Sequence, residues 1–376
     1  MVPAARGGSS PAAMRHLLSV NDLGSEGLKE MMRIADFFVE ISTRPIPKVP
    51  ALRGKTVACA FFEGSTRTRL SFEAAAKRLS ADIMSFGASG SSMSKGESLK
   101  DTVTTIESLG ADVIVVRHAS AGVASQVASW VSIPVVNAGD GWHEHPTQAL
   151  LDCYTIRQAL GAESFQGLKV VMVGDLMHSR VARSNVLALS AMGARVNLVA
   201  PRTLWPVSLD GWPVEGITCD LDPLLEKADL VYLLRLQTER GAGRLLPSLR
   251  EYAAMYQLTA RRAAMMPKDS LIMHPGPVNR GVEMSSEVAE MPGALVGSQV
   301  ANGVVVRMAV LYQLLVGGEG VGVLDPTAPD VAPAPAALRS AGVHHGAPGP
   351  SDTSSDSTPS TRSTPRTPST RRSAGA

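Results

Sequence analysis

The chain has 376 residues, 44% of them hydrophobic and 4% aromatic, with a formal net charge of +2 at pH 7. That length accommodates two ordinary domains and a tail, and a charge so close to balance gives no footing for nucleic acid or a membrane surface as partner. No apolar run approaches the roughly 18–20 residues of a membrane span, and Cys59, Cys153 and Cys219, widely separated and without metal-ligand spacing, read as buried free thiols in a reducing cytoplasm.

In chain order, residues 1–14 carry Arg6 but no apolar core, so they read as a disordered extension rather than a secretory leader, with Met1 or Met14 as the start. Glu26–Ile41 has helical periodicity. Strand-like apolar runs follow at Thr56–Phe61, Asp82–Phe86, Asp112–Arg117 and Pro134–Asn137, then at Lys169–Gly174, Arg195–Val199, Leu230–Leu234 and Ser270–His274. They are short and unbroken rather than alternating, the pattern of strands buried on both faces. Helical stretches separate them, among them Leu70–Leu79, Ser98–Leu109, Arg180–Met192 and Glu251–Met265. Such alternation predicts an α/β fold of two domains, each a parallel sheet flanked by helices, with the ligand cleft between them. The boundaries expected are 15–146 for the first domain, completed by a C-terminal helix at 300–316, and 147–299 for the second. His145-Pro146-Thr147-Gln148 opens a helix to about Leu160 that is apolar on more than one side, hence buried. Residues 317–376 turn to Pro, Ala, Gly, Ser, Thr and Arg and are expected to stay disordered.

The chemistry gathers where parallel sheets bind ligands, beyond the carboxyl ends of the strands. Ser65-Thr66-Arg67-Thr68-Arg69 follows the first strand and enters a helix. Hydroxyls, free N–H groups and guanidinium groups at a helix N-terminus suit a phosphate dianion. Without a Gly-Lys-Ser/Thr ending it is not the nucleotide loop, and Gly174-Asp175-Leu176-Met177-His178-Ser179 lacks the further glycines of a dinucleotide site. Arg117, Arg180, Arg235 and His274-Pro275-Gly276-Pro277 fall at later strand ends, and Lys95 lies in a Gly/Ser/Ala-rich loop. For each Arg alone a solvated charge is the simpler reading; five cations at one sheet edge point to anion binding. His145 and Gln148, one helical turn apart, could hydrogen-bond a carbonyl without full charge. His118, His143 and His178 have no such company. No Cys/His cluster suggests zinc chemistry, and no metal or cofactor is expected.

Together, Ser65-Thr66-Arg67-Thr68-Arg69 and His145-Pro146-Thr147-Gln148 resemble the two signatures of the aspartate and ornithine carbamoyltransferases, over roughly Arg15 to Val316. Ser91-Ser92-Met93-Ser94-Lys95-Gly96-Glu97, Leu233-Leu234-Arg235-Leu236-Gln237-Thr238-Glu239-Arg240 and His274-Pro275-Gly276-Pro277 resemble the aspartate branch; the ornithine branch would show His-Cys-Leu-Pro and an Asp-x-x-x-Ser-Met-Gly segment. The resemblance implies transfer of the carbamoyl group of carbamoyl phosphate to L-aspartate, the committed step of pyrimidine synthesis. The alternatives are another acceptor amine such as ornithine, or a non-catalytic scaffold member.

Position by position, it implies that Ser65, Thr66, Arg67 and Thr68 bind phosphate, with Arg117 bridging phosphate and carbonyl oxygens. Thr68, Arg117 and His145 would polarise the carbonyl, making Arg67, Thr68, Arg117 and His145 the catalytic set. Gln148 and the backbone of Gly276 and Pro277 would receive the carbamoyl amide. Lys95, Arg180 and Arg235 would hold aspartate, Lys95 from an adjacent subunit, with a loop contact from Ser92 or, one residue over, Ser91. The implied assembly is a cytoplasmic homotrimer with shared active sites; regulatory or dihydroorotase chains in a larger assembly stay open.

Overall fold

The computed structural model describes residues 14–87, 97–237 and 244–317. Strand β1 (Thr56–Phe61) shows why the apolar runs are unbroken. Val57, Cys59 and Phe61 face one core while Ala58 and Ala60 face another, so neither side of the strand meets water. Such a strand is stable only inside a sheet covered on both faces. Helix α1 (Gly24–Ser42) precedes it, and α2 (Thr66–Arg78), β2 (Asp82–Gly87), α3 (Leu99–Ser108), β3 (Val113–His118), α4 (Val123–Trp130) and β4 (Val135–Asp140) follow. The strands form a parallel sheet in the order β2-β1-β3-β4, with Val57 opposite both Ile83 and Val113, and Ile114 opposite Val135.

Helix α5 (Pro146–Leu160) links this sheet to a second one. The second half runs β5 (Lys169–Val173), α6 (Arg180–Ala191), β6 (Arg195–Val199), β7 (Gly216–Thr218), α7 (Asp222–Leu225), β8 (Leu230–Leu233), α8 (Leu249–Tyr256), α9 (Ala260–Ala263), β9 (Leu271–Met273), α10 (Ser286–Ala289) and α11 (Val296–Leu315). Its strands are parallel in the order β7-β6-β5-β8-β9. Two parallel sheets flanked by helices is the fold class expected. In both, the strand that comes first in the chain, β1 or β5, sits inside and later strands are added to either side, so each sheet has a switch point where loops diverge. Every residue of α5 from Pro146 to Ile156 is buried, as its all-round apolarity requires, and α11 packs against α1, α2 and α5.

Several elements differ from expectation, each for a local reason. Glu251–Met265 is not one helix. It breaks after Tyr256 because the buried Leu258 takes up sheet-like bonds, its N–H to Glu283 O at 3.0 Å and its carbonyl from Ser285 N–H at 3.1 Å. Thr259 then caps α9 by accepting from Arg262 N. Helix α2 begins at Thr66, not Leu70, so the Ser65–Arg69 motif is itself the first turn. Strand β4 runs on to Asp140, and α11 starts at Val296. The edge strand β7 and helix α4 lacked any strong periodic signal. Cys59 and Cys153 are buried as expected, but Cys219, just past the edge strand β7, is only half-buried. No helix among the described residues is long and apolar enough to cross a membrane.

Candidate active site

The carboxyl ends of both sheets open on one cleft of about 780 Å3. Ser65, Thr66, Arg67, Thr68, Arg117, His145, Gln148, Arg180, Arg235, Gly276 and Pro277 all line it. They come from six separate places: the first turn of α2, the end of β3, the first turn of α5, the first residue of α6, the segment after β8, and the turn after β9. Lys95 and Ser92, with the neighbouring Ser91, lie outside the described residues, as do Thr238, Glu239 and Arg240.

At the α2 end, Ser65 occupies the N-cap with extended backbone but makes no side-chain capping bond. The N–H groups of the first turn are therefore not met by the cap, and the helix dipole adds to Arg67. That turn has the free N–H donors and the positive charge that an anion would need. Arg117 continues the cation set from β3, its Nη1 donating to Ala138 O at 3.1 Å. Gly139 explains how Arg117 and Arg180 come so close to the end of β4. Its φ is +112°, and a Cβ there would stand 2.9 Å from Arg180 Nε and 3.2 Å from Arg117 Nη1. A side chain would push the two guanidinium groups off the strand end.

Glu63 is a cleft residue that reading the sequence missed. Its Oε2 lies 2.7 Å from Arg180 Nη2 and 3.3 Å from Arg117 Nε, so one carboxylate is shared by two of the arginines. It sits two residues before Ser65, just ahead of the Ser65–Arg69 motif, and its sign was the overlooked signal: a lone acid amid cations.

His145 is the N-cap residue of α5 and is 4% exposed. Its backbone N–H donates to Ser184 Oγ at 2.8 Å, and Ser184 Oγ in turn reaches Glu144 Oε2 at 3.1 Å, which fixes the start of α5 to α6. Burial, with Arg117, Arg180 and Arg307 nearby, holds the imidazole well below its ordinary pKa of 6.5. The ring is therefore neutral at physiological pH, with one N–H to give. Nδ1 is buried without a hydrogen-bond partner among the described residues. Gln148, one turn on, turns its Nε2 to Asp152 Oδ1 at 3.1 Å.

The turn after β9 is held by its own histidine. His274 Nδ1 accepts from Gly276 N at 2.8 Å, so the proton sits on Nε2, 3.2 Å from Glu283 Oε2. Gly276 has φ +64°, and its Cα region approaches the Arg67 guanidinium. Arg307 of α11 also lines the cleft; it is buried, its Cζ lies 5.1 Å above the Phe72 ring, and its Nε has no partner among the described residues. Arg307 and Asp152 were not singled out from the sequence, because both sit mid-helix in apolar surroundings and match no motif.

His118, His143 and His178, the histidines set aside in the sequence, have structural partners. His118 Nδ1 accepts from Ser120 N at 2.9 Å, His143 Nδ1 lies 3.1 Å from Asp140 Oδ2, and His178 Nδ1 lies 2.8 Å from Asp175 Oδ1 with its ring edge-on to Trp142. Among the described residues no group of three or more His, Cys, Asp or Glu side chains could hold a metal ion.

What the site can do chemically is grip a phosphate at a helix N-terminus, polarise a carbonyl with an arginine and a neutral histidine, and accept carboxylates on further arginines. The comparisons agree with that chemistry. Residues 15–158 match the family model described as aspartate/ornithine carbamoyltransferase, carbamoyl-P binding domain, and residues 166–314 the one described as the Asp/Orn binding domain. A relative from Parafrankia sp. (strain EAN1pec), named aspartate carbamoyltransferase catalytic subunit, is 56% identical over 307 residues, covering 82% of this chain and 98% of its own. Aspartate transcarbamoylase from Trypanosoma cruzi in complex with carbamoyl phosphate and aspartate is similar at a TM-score of 0.73 with 31% identity, over 80% of this chain and 97% of that one. The catalytic subunit of M. jannaschii aspartate transcarbamoylase gives a TM-score of 0.70 at 36% identity, over 82% and 100% respectively. With both halves matched and identity this high over most of its length, the chain belongs to the aspartate/ornithine carbamoyltransferase family.

Proposed function

We propose that this chain transfers the carbamoyl group of carbamoyl phosphate to L-aspartate, giving N-carbamoyl-L-aspartate and phosphate. One observation carries the reading: a single cleft combines a phosphate seat at the N-terminus of α2 with Arg117, Arg180 and Arg235 and the neutral His145. Relatives above 50% identity are named for that activity, and the T. cruzi neighbour holds both substrates. Two arginines beyond the phosphate seat suit a dicarboxylate; they would repel the ammonium side chain of ornithine.

In this reading Ser65, Thr66, Arg67 and Thr68 bind the phosphate and Arg117 spans phosphate and carbonyl. Thr68, Arg117 and His145 polarise the carbonyl; Gln148 and the Gly276–Pro277 backbone take the carbamoyl amide. Arg180 and Arg235 hold aspartate, joined by Lys95 of a neighbouring subunit in a cytoplasmic homotrimer. The first domain spans 15–146 with the 300–316 helix and the second 147–299. The aspartate amine attacks the carbonyl carbon, a tetrahedral oxyanion forms, and the C–O bond to phosphate breaks as the departing phosphate takes the amine proton and leaves as the hydrogen-phosphate dianion. Positioning two anions that repel in water supplies much of the acceleration, and donors at the oxyanion the rest. The test is a carbamoyl-phosphate assay with aspartate beside ornithine: turnover with aspartate alone is expected. Turnover with ornithine alone, or with neither, refutes the reading.

A further inference from the structure

Behind the cleft wall lies a buried carboxylate that touches none of the proposed ligand positions yet is tied to two of them. Asp152 lies on α5, fully buried, one turn beyond Gln148. Four donors surround it. Gln148 Nε2 at 3.1 Å and Gln299 Nε2 at 2.7 Å reach Oδ1, while Asn185 Nδ2 at 2.8 Å and Tyr232 Oη at 2.7 Å reach Oδ2. An ionised carboxylate accepts about four bonds and donates none, so its capacity is filled.

That one-sidedness sets the orientation of both amides. Because Asp152 only accepts, Gln148 must present nitrogen to it, which leaves the Gln148 oxygen for the cleft that this residue lines. Gln299 likewise gives its nitrogen to Asp152, and its Oε1 then accepts the backbone N–H of His274 at 3.0 Å. His274 opens the turn whose next members are Pro275, Gly276 and Pro277. One carboxylate thus anchors a side-chain arm from α5 and, through Gln299 on α11, a backbone arm after β9.

We infer that Asp152 is a positioning residue for the carbamoyl amide: it keeps the Gln148 carbonyl oxygen and the His274–Pro277 turn aimed at the same point in the cleft. This rests on the function proposed above, in which those two arms receive the amide nitrogen. An amide NH2 offers only donors, so it needs acceptors on both sides. Were Gln148 to flip, its NH2 would face the substrate's NH2 and the pocket would repel what it should hold. Burial pushes the Asp152 carboxyl up to about 6, with the four donors drawing it back towards ionisation, so near neutral pH it remains chiefly an acceptor. The buried Arg307 guanidinium adds compensating charge. A residue serving the core alone would not need its acceptors directed to two elements that flank the substrate.

The test is steady-state kinetics on the full-length chain, with inorganic phosphate as inhibitor. Asp152→Asn gives the hub a donor where only acceptors fit, so kcat/KM for carbamoyl phosphate should fall about 10- to 100-fold, the scale of a misplaced reacting group. The inhibition constant of inorganic phosphate, which has no amide, should stay within about twofold, and adding Asp152→Asn to Gln148→Ala should cost little more than Gln148→Ala alone. Equal weakening of phosphate and carbamoyl phosphate, or independent multiplication of the two substitutions, overturns the inference. Should Asp152→Asn not fold, Gln299→Leu keeps the charge and cuts the tie to His274. It should give the same selective loss, and wild-type kinetics in that variant are a refutation too. A wild-type chain inactive towards carbamoyl phosphate and aspartate removes the proposed function first, and this inference with it.

Discussion

Replacing His145 by Ala isolates one donor in the cleft. The imidazole is 4% exposed, and burial together with Arg117, Arg180 and Arg307 keeps it neutral, so what it can offer the carbonyl is a single uncharged N–H. Losing one oxyanion donor typically lowers kcat by about 10² to 10³, or about 2.7–4 kcal/mol of transition-state stabilisation. Because Arg117 and the α2 N-terminus stay in place, the loss belongs within that span and not beyond it. The backbone bond from residue 145 to Ser184 Oγ survives in Ala, so the start of α5 should hold its place. The assay is carbamoyl-aspartate formation at saturating substrates, repeated from pH 5.5 to 8.5 at roughly half-unit steps around the ordinary histidine value. No limb near 6.5 should arise from this ring, since its folded pKa lies well below that value. Stability behaves oppositely. The unfolded chain takes up a proton on His145 as pH falls through its ordinary value, while the folded chain refuses it until the lowered folded value is reached. Stability from this group is therefore present above the ordinary value and lost as pH falls below it. Turnover within about twofold of wild type, far short of the expected loss, would remove His145 from the mechanism. A limb near the ordinary histidine value that vanishes in the variant would instead refute the neutral ring, placing the His145 pKa far above what its burial implies.

Arg235→Ala should raise KM for aspartate about 10- to 100-fold, the worth of a charge-assisted hydrogen bond, while KM for carbamoyl phosphate changes little; equal effects on both would place Arg235 at the phosphate. Thiol labelling of the native chain should begin at Cys219, which is half-buried, and leave Cys59 and Cys153 unreacted until denaturant is added. Burial pushes the Cys59 thiol up to about 12, and Cys153 higher still, so neither forms the reactive thiolate at neutral pH; rapid labelling of either would show the core to be looser than described.

The fold was legible because buried parallel strands leave a signal that survives without any alignment. Val57 to Phe61 and Val113 to Val116 are apolar at consecutive positions, since odd and even residues face different cores. The site was legible for a related reason: each cleft residue expected from the sequence sits at or just after a strand's carboxyl end or in a helix's first turn, where sequence order and spatial convergence coincide. Other features escaped because they depend on partners distant in sequence. Leu258 breaks a helical pattern by pairing with Glu283 and Ser285, and nothing in 251–265 announces that. Asp152 looks like one polar residue in a greasy helix until Gln299, 147 residues on, is seen to meet it. Glu63 was in plain view, but its role follows from Arg180, 117 residues later. Leu70, the first residue of the expected helix 70–79, is 53% exposed at the cleft wall, because it lies on the side of α2 opposite the buried Thr68, Phe72, Ala75 and Ala76.

Those two carboxylates also explain how so cationic a cleft exists at all. Two guanidinium groups about 4 Å apart repel by roughly 4 kcal/mol at the effective dielectric of a partly solvated protein, and Arg117 and Arg180 approach the same face of Gly139. Glu63 between them converts that repulsion into two ion pairs, and Asp152 offsets Arg307 at greater depth. The two compensations differ in kind. Asp152 is sealed among four donors and has no route to exchange partners. Glu63 is partly exposed, with side-chain accessibility of 21%, at the cleft wall. An arriving carboxylate could therefore compete with Glu63 for Arg180, replacing one ion pair with another rather than forming one from nothing. Net binding energy from Arg180 would then be the difference between two similar pairs, which is modest, while its geometry would be fixed beforehand by the pair already there. A cleft built this way holds its arginines in working positions without gripping the substrate so tightly that the gain is lost from the transition state.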